Sequence, residues 1–83
     1  MYTVLITKQA KKDIPFLAKN DIQKLKSILY EVISENPFIG KKLKGSLLGN
    51  YSYRLNIRDR IVYSIHEDEK IVYIKRVRTH YGE

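Results

Sequence analysis

Cysteine is absent from these 83 residues. That excludes a disulfide framework and a zinc–thiolate centre, and suits a reducing compartment. The only imidazoles are His66 and His80, with no carboxylate cluster at ligand spacing beside them, so no metal is expected. No apolar run approaches the length of a membrane span, and the start MYTVLITKQAKK lacks the basic-then-apolar order of a signal peptide. Glycine is sparse, and no glycine-rich phosphate loop precedes a helix; GNYS and GSLLG supply no nucleophile elbow. Sustained heptads, internal repeats and low-complexity segments are also missing. The expectation is one soluble, cytoplasmic domain spanning residues 1–83, with no cofactor and no membrane partner. Acidic residues are in short supply as well: nine against sixteen Lys and Arg leave a net charge of +7, which draws polyanions and acidic proteins without choosing between them.

What is present reads as alternating element types. YTVLIT (2–7) is β-branched and aromatic, as a strand requires. Thr7 is placed to cap a helix whose Ala10, Ile14 and Leu17 share one face, until Pro15 interrupts it. Asn20, with Gln23 three residues on, reads as the cap of a second helix carrying Ile22, Leu25, Ile28, Leu29, Val32 and Ile33, and the chain then breaks before Pro37. FIGKKLKGSLLGN is a glycine-punctuated basic loop. Three strands follow. YSYRLNI sets Tyr51, Tyr53, Leu55 and Ile57 on one face, RIVYSIH sets Ile61, Tyr63 and Ile65 on one face, and KIVYIKRVR is apolar enough to be flanked on both sides. The fold class expected is α+β in the order β-α-α-β-β-β, an antiparallel sheet with a helical hairpin packed on one face. Alternation then sends Arg54 and Arg60 to the opposite face of neighbouring strands.

Arg54, Arg60, Lys41, Lys42, Lys44, His80 and Tyr81 together hold the parts for cutting RNA. The 2′-hydroxyl can attack its own phosphate if that group is held in line, its growing charge neutralised and two protons moved. Guanidinium forks match phosphate oxygens, an imidazole can protonate the departing 5′-oxygen, and a phenol can bond a phosphate or stack on a base. Each part also has an ordinary explanation. Arginines on a strand surface deter aggregation, KKLKG is a solvated loop, the tyrosines of the strands are core or cross-strand residues, and His80 is a solvated side chain.

TKQAKKD, ENPF, KLKGSLLGNYSYRLN, DRIVY and the final THY, in this order along the chain, resemble the RelE/ParE superfamily of bacterial toxins, most closely its Txe/YoeB branch. The resemblance implies a RelE-like fold and a ribosome-dependent mRNA endonuclease acting in the A site without a metal, neutralised by an antitoxin expected to be acidic. It implies that Arg60 stabilises the phosphate, His80 protonates the leaving group, and Tyr81 is the aromatic beside it. Arg54 matches the second basic strand position and Lys44 the family's loop lysine; the charge of Lys41, read from the residues alone, is expected to add a phosphate contact from the loop. Two positions depart from the pattern: Lys41 stands where YoeB-type members carry a glutamate, and Tyr53 where relatives often carry arginine. Asp59 and Glu67 sit in predicted turns and do not replace that glutamate. Two alternatives remain on sequence grounds, a ParE-like gyrase inhibitor without nuclease chemistry and a non-catalytic basic protein- or RNA-binding module.

Overall fold

The computed structural model describes residues 1–79. Its strands, β1 (Thr3–Ile6), β2 (Lys41–Lys42), β3 (Asn50–Arg54), β4 (Arg60–His66) and β5 (Ile71–Thr79), form one sheet in the order β1-β5-β4-β3-β2. Neighbours from β2 to β5 are antiparallel, but β1 runs parallel to β5, with Val4 opposite Val72 and Ile6 opposite Ile74. The sheet is therefore mixed, which corrects the expected antiparallel arrangement. The apolar run of β5 needs a neighbour on both edges, and the meander β3-β4-β5 supplies only one. β1 takes the other edge, and because both helices and the meander lie between the two strands, no tight turn forces them antiparallel.

Helix α1 (Lys8–Asp13) starts as expected, with Thr7 Oγ1 accepting from the Ala10 N–H at 3.3 Å. Pro15 then tightens the chain into a 3₁₀ turn at Ile14–Phe16. Helix α2 (Lys19–Ser27) begins earlier than expected: Ala18 is the cap residue, its carbonyl accepting from the Asp21 and Ile22 N–H groups at 3.0 Å, and Asn20 lies inside the first turn. Leu17, extended and buried, sets where the chain turns into this helix. The helix widens into a π-helical stretch at Ile28–Ile33, in which the Ser34 N–H reaches back to the Leu29 carbonyl at 3.0 Å.

Both helices bury their apolar residues on one face of the sheet. Ala10, Leu17, Leu25, Leu29 and Ile33 meet Leu55, Ile61, Tyr63, Val72, Ile74 and Val77, and Tyr51 and Tyr53 pack against that cluster. The basic loop holds more structure than its composition suggests. Lys41 and Lys42 pair with Ser52 and Tyr51, and a short 3₁₀ turn follows at Gly45–Leu47. β3 stops at Arg54, three residues sooner than the alternation through Ile57 predicts. Leu55 still reaches the core, but Ile57 is 94% exposed because the chain has already entered the turn.

Candidate nucleic-acid interface

Residues directly opposite one another in a sheet project from the same side, so the register assembles the second face row by row. One row is Arg54–Arg60–Thr79, with Arg54 the Cα partner of Arg60 and Arg60 the partner of Thr79. The next is Lys41–Ser52–Val62–Arg76. Three predicted site residues, Arg54, Arg60 and Lys41, therefore occupy adjacent rows of one face. Arg54 and Lys41 are exposed and Arg60 is half-buried. Lys44 is exposed at the start of the Gly45–Leu47 turn, outside these rows. His80 and Tyr81 lie outside the described residues. The last described residue, Thr79, is the one paired with Arg60.

The turn between β3 and β4 holds the two arginines opposite each other. Asn56 Oδ1 accepts from the Arg58 N–H at 2.8 Å and the Asp59 N–H at 2.6 Å. Its amide donates to Asp59 Oδ2 at 3.1 Å and to Asp21 Oδ2 at 3.0 Å, tying the turn to the first turn of α2. The Leu55 N–H closes the loop on the Asp59 carbonyl at 3.0 Å. Asp59, 4% exposed, is thus a turn-former, as its predicted place in a turn implied. Like charges on opposed sheet positions repel, and an anion between them converts that repulsion into attraction.

Beside these rows lies a groove of about 490 Å³ lined by Thr7, Gln9, Leu47, Asn50, Val62 and Arg76 among others. Leu47 reaches it because the Gly45–Leu47 turn folds over this face, held by the Asn50 amide donating to the Leu47 carbonyl at 3.1 Å. A second hollow, about 410 Å³ and lined by Phe38, Lys42, Leu43, Leu48 and Tyr51 among others, takes Lys42 away from the rows that hold Arg54, Arg60 and Lys41. His66 contacts Ser64 at 3.3 Å, and its ring stands nearly perpendicular to that of Tyr73 with centroids 4.9 Å apart. Among the described residues, no three of His, Cys, Asp and Glu are grouped to hold a metal ion, and no helix is long and apolar enough to cross a membrane.

Sequence reasoning assigned no role to Asp13. Only 4% exposed, it accepts from Arg76 Nε at 2.7 Å, from Arg76 Nη2 at 3.0 Å and from the Val77 N–H at 3.2 Å. Burial alone would push its carboxyl up, but the bonds from Arg76 and Val77, with the charges of Arg76 and Arg78, hold it below the usual carboxylate range. Nothing local marked it, because its partners lie more than sixty positions away in sequence.

Residues 6–81 match the family described as YoeB-like toxin of bacterial type II toxin–antitoxin system. The fold superposes on a chain of the Mycobacterium tuberculosis RelBE2 toxin–antitoxin complex with a TM-score of 0.86 at 29% identity, covering 95% of this chain and 98% of that one. A chain of the Staphylococcus aureus YoeB–YefM complex gives 0.79 at 26% identity, with coverage of 98% and 99%. A metal-bound toxin from Helicobacter pylori gives 0.78 at 27%, with coverage of 96% on both sides. Among curated proteins, no sequence matches significantly.

Proposed function

Because the chain belongs to the YoeB-like toxin family of bacterial type II toxin–antitoxin systems, we propose that it is a ribosome-dependent mRNA endonuclease, working in the cytoplasm and restrained by an acidic cognate antitoxin. The observation that carries this reading is the row Arg54–Arg60–Thr79, which sets two guanidinium-bearing residues face to face and ends one residue before His80 in sequence.

In this reading a phosphodiester of the A-site codon lies over Arg54 and Arg60, with Lys41 and Lys44 contacting flanking phosphates. The 2′-oxygen forms a bond to phosphorus as the bond to the 5′-oxygen breaks. His80 delivers a proton to that departing oxygen, and Tyr81 contacts the phosphate or stacks on an adjacent base. The guanidinium charge stabilises the extra negative charge of the pentacoordinate phosphorus, and this does not require a metal. The 2′-hydroxyl proton leaves to solvent or to a ribosomal group, since the position of the family's glutamate is held by Lys41. The complexes of the M. tuberculosis and S. aureus relatives with antitoxins and the +7 charge support an acidic partner.

The test is primer extension on mRNA from translating cells after induction of the toxin. Cuts inside codons are expected, confined to translated stretches of the message and abolished when its translation is prevented. Arg60→Ala and His80→Ala should each lower cleavage by about two to four orders of magnitude. Growth arrest with intact mRNA and lost supercoiling would instead select gyrase inhibition. An inert protein that still captures an acidic partner would select a binding module.

A further inference from the structure

The end of β5 is irregular where it approaches Arg60. Tyr63 pairs with Ile74 but Val62 with Arg76, and the two-residue step from Val62 to Arg60 is matched by three residues from Arg76 to Thr79, so β5 is bulged twice. Bulges re-aim the chain and loosen the ladder that would otherwise fix it. β1 gives no help here. Its pairing ends at Ile6 opposite Ile74, and Thr7 spends both its N–H and its hydroxyl on the Ile74 carbonyl, at 3.1 and 2.8 Å.

Beyond that point three consecutive residues of β5 are gripped by the α1 segment instead. Asp13 takes the Arg76 guanidinium through two bonds and the Val77 N–H through a third. The Arg78 guanidinium lies over the Phe16 ring, 4.4 Å from its centroid. Pro15 ends α1 between these two residues, so one acid and one aromatic ring bracket a single helix break. A buried acid satisfied by a fork and a backbone amide has one geometry, whereas the bulged strand alone has several.

We infer that Asp13, assisted by Phe16, is a positioning residue that delivers the end of β5 to Arg60 and thereby aims the residue after Thr79. The role rests on the reading of His80 as proton donor given above. Its signature is dependence on His80, which a purely structural contribution to stability lacks.

The experiment is single-turnover cleavage of ribosome-bound mRNA by the full chain and by Asp13→Asn, His80→Ala and the double variant. Melting and capture of the cognate antitoxin check the fold of each. Asp13→Asn is expected to lower the cleavage rate at saturating toxin by about tenfold, because small misplacements of reacting groups are costly, while half-saturation shifts less than about twofold. In the His80→Ala background the same substitution should change the rate less than about twofold, since there is no proton donor left to aim. Additive losses, or a change confined to half-saturation, overturn the positioning role while leaving the nuclease reading intact. Full cleavage by His80→Ala overturns the proton-donor assignment, and the positioning role with it. If Asp13→Asn does not fold, Phe16→Ala removes only the exposed ring beneath Arg78 and enters the same cycle, with the same outcomes deciding.

Discussion

Gly40 is the residue at which fold and candidate site can be tested by one substitution. Its backbone is extended, φ −72° and ψ 167°, so any residue could adopt it and only space excludes a side chain. A Cβ added there falls far inside contact distance of the Tyr63 hydroxyl oxygen and 2.9 Å from the Ser52 carbonyl oxygen. Tyr63 has nowhere to retreat. It is fully buried, stacks on Tyr51 with ring centroids 5.8 Å apart, and donates its hydroxyl to the Pro37 carbonyl at 2.7 Å. Forcing a methyl into such a contact costs about 1–3 kcal/mol, and displacing the phenol from its buried acceptor adds about 1 kcal/mol. Gly40→Ala is therefore expected to lose about 2–4 kcal/mol. Tyr63→Phe alone should lose about 1–2 kcal/mol, chiefly from the unpaired Pro37 carbonyl. In the double variant the worst contact is gone while the Ser52 carbonyl still crowds the methyl, so the total should fall short of the sum by about 1 kcal/mol. Urea unfolding followed by circular dichroism on the four proteins measures this, provided the slope against denaturant stays constant. A loss below about 0.5 kcal/mol for Gly40→Ala, or strict additivity, would refute the packing argument. The contact also bears on the candidate site, because Gly40 leads directly into Lys41 and its place beside Ser52.

Burial pushes the Tyr63 phenol up to about 12, against lowering by the Gly40 backbone and with small additions from Tyr51 and Tyr53. An acid whose folded value lies above its unfolded value near 10 keeps its stabilising effect below pH 10 and loses it as pH climbs from there toward 12. The wild type should therefore lose about 2–3 kcal/mol more than Tyr63→Phe across that window, read by stability curves at stepped pH. Leu29→Ala, at a residue 1% exposed in the core, should cost about 2–5 kcal/mol in the same unfolding assay, with cleavage by the folded fraction unchanged. Arg54→Thr, at the exposed position directly opposite Arg60, should weaken cleavage while changing stability by less than about 0.5 kcal/mol; a large drop in melting temperature would show that Arg54 serves the fold instead.

Local pattern made much of this fold legible. Alternation in RIVYSIH placed Ile61 and Tyr63 in the core, helical spacing placed Leu25, Leu29 and Ile33 there, and Thr7 was readable as a cap because its partner, Ala10, is only three residues away. The side of the sheet carrying Arg54 and Arg60 follows from the same alternation. Their direct opposition does not, because it depends on Asn56 binding the Arg58 and Asp59 amides and shortening β3. The parallel pairing of β1 with β5 was hidden for a related reason: strands 68 positions apart, as Thr3 and Ile71 are, leave no turn between them to read. A two-residue strand of lysines looks like loop by composition, since only the register with Tyr51 and Ser52 makes it a strand. Asp13 was the least legible of all. An aspartate after two lysines in a helix reads as solvated, and only the chain's return at Arg76 and Val77 buries it.

The two faces of the sheet divide the work in a way that bears on regulation. Against the helices, side chains are apolar and satisfied, and that packing carries the stability. On the second face, Arg54 meets Arg60 across one row with Lys41 in the next, which concentrates positive charge there. In the reading proposed above, a polyanion laid on those rows stabilises the fold, by an amount set by its concentration relative to its dissociation constant, and occupies the phosphate position. An acidic antitoxin segment and an mRNA backbone would then compete for the same charges. On this reasoning inhibition needs no distortion of the toxin, and the grip that restrains it should weaken with salt in step with the grip on RNA.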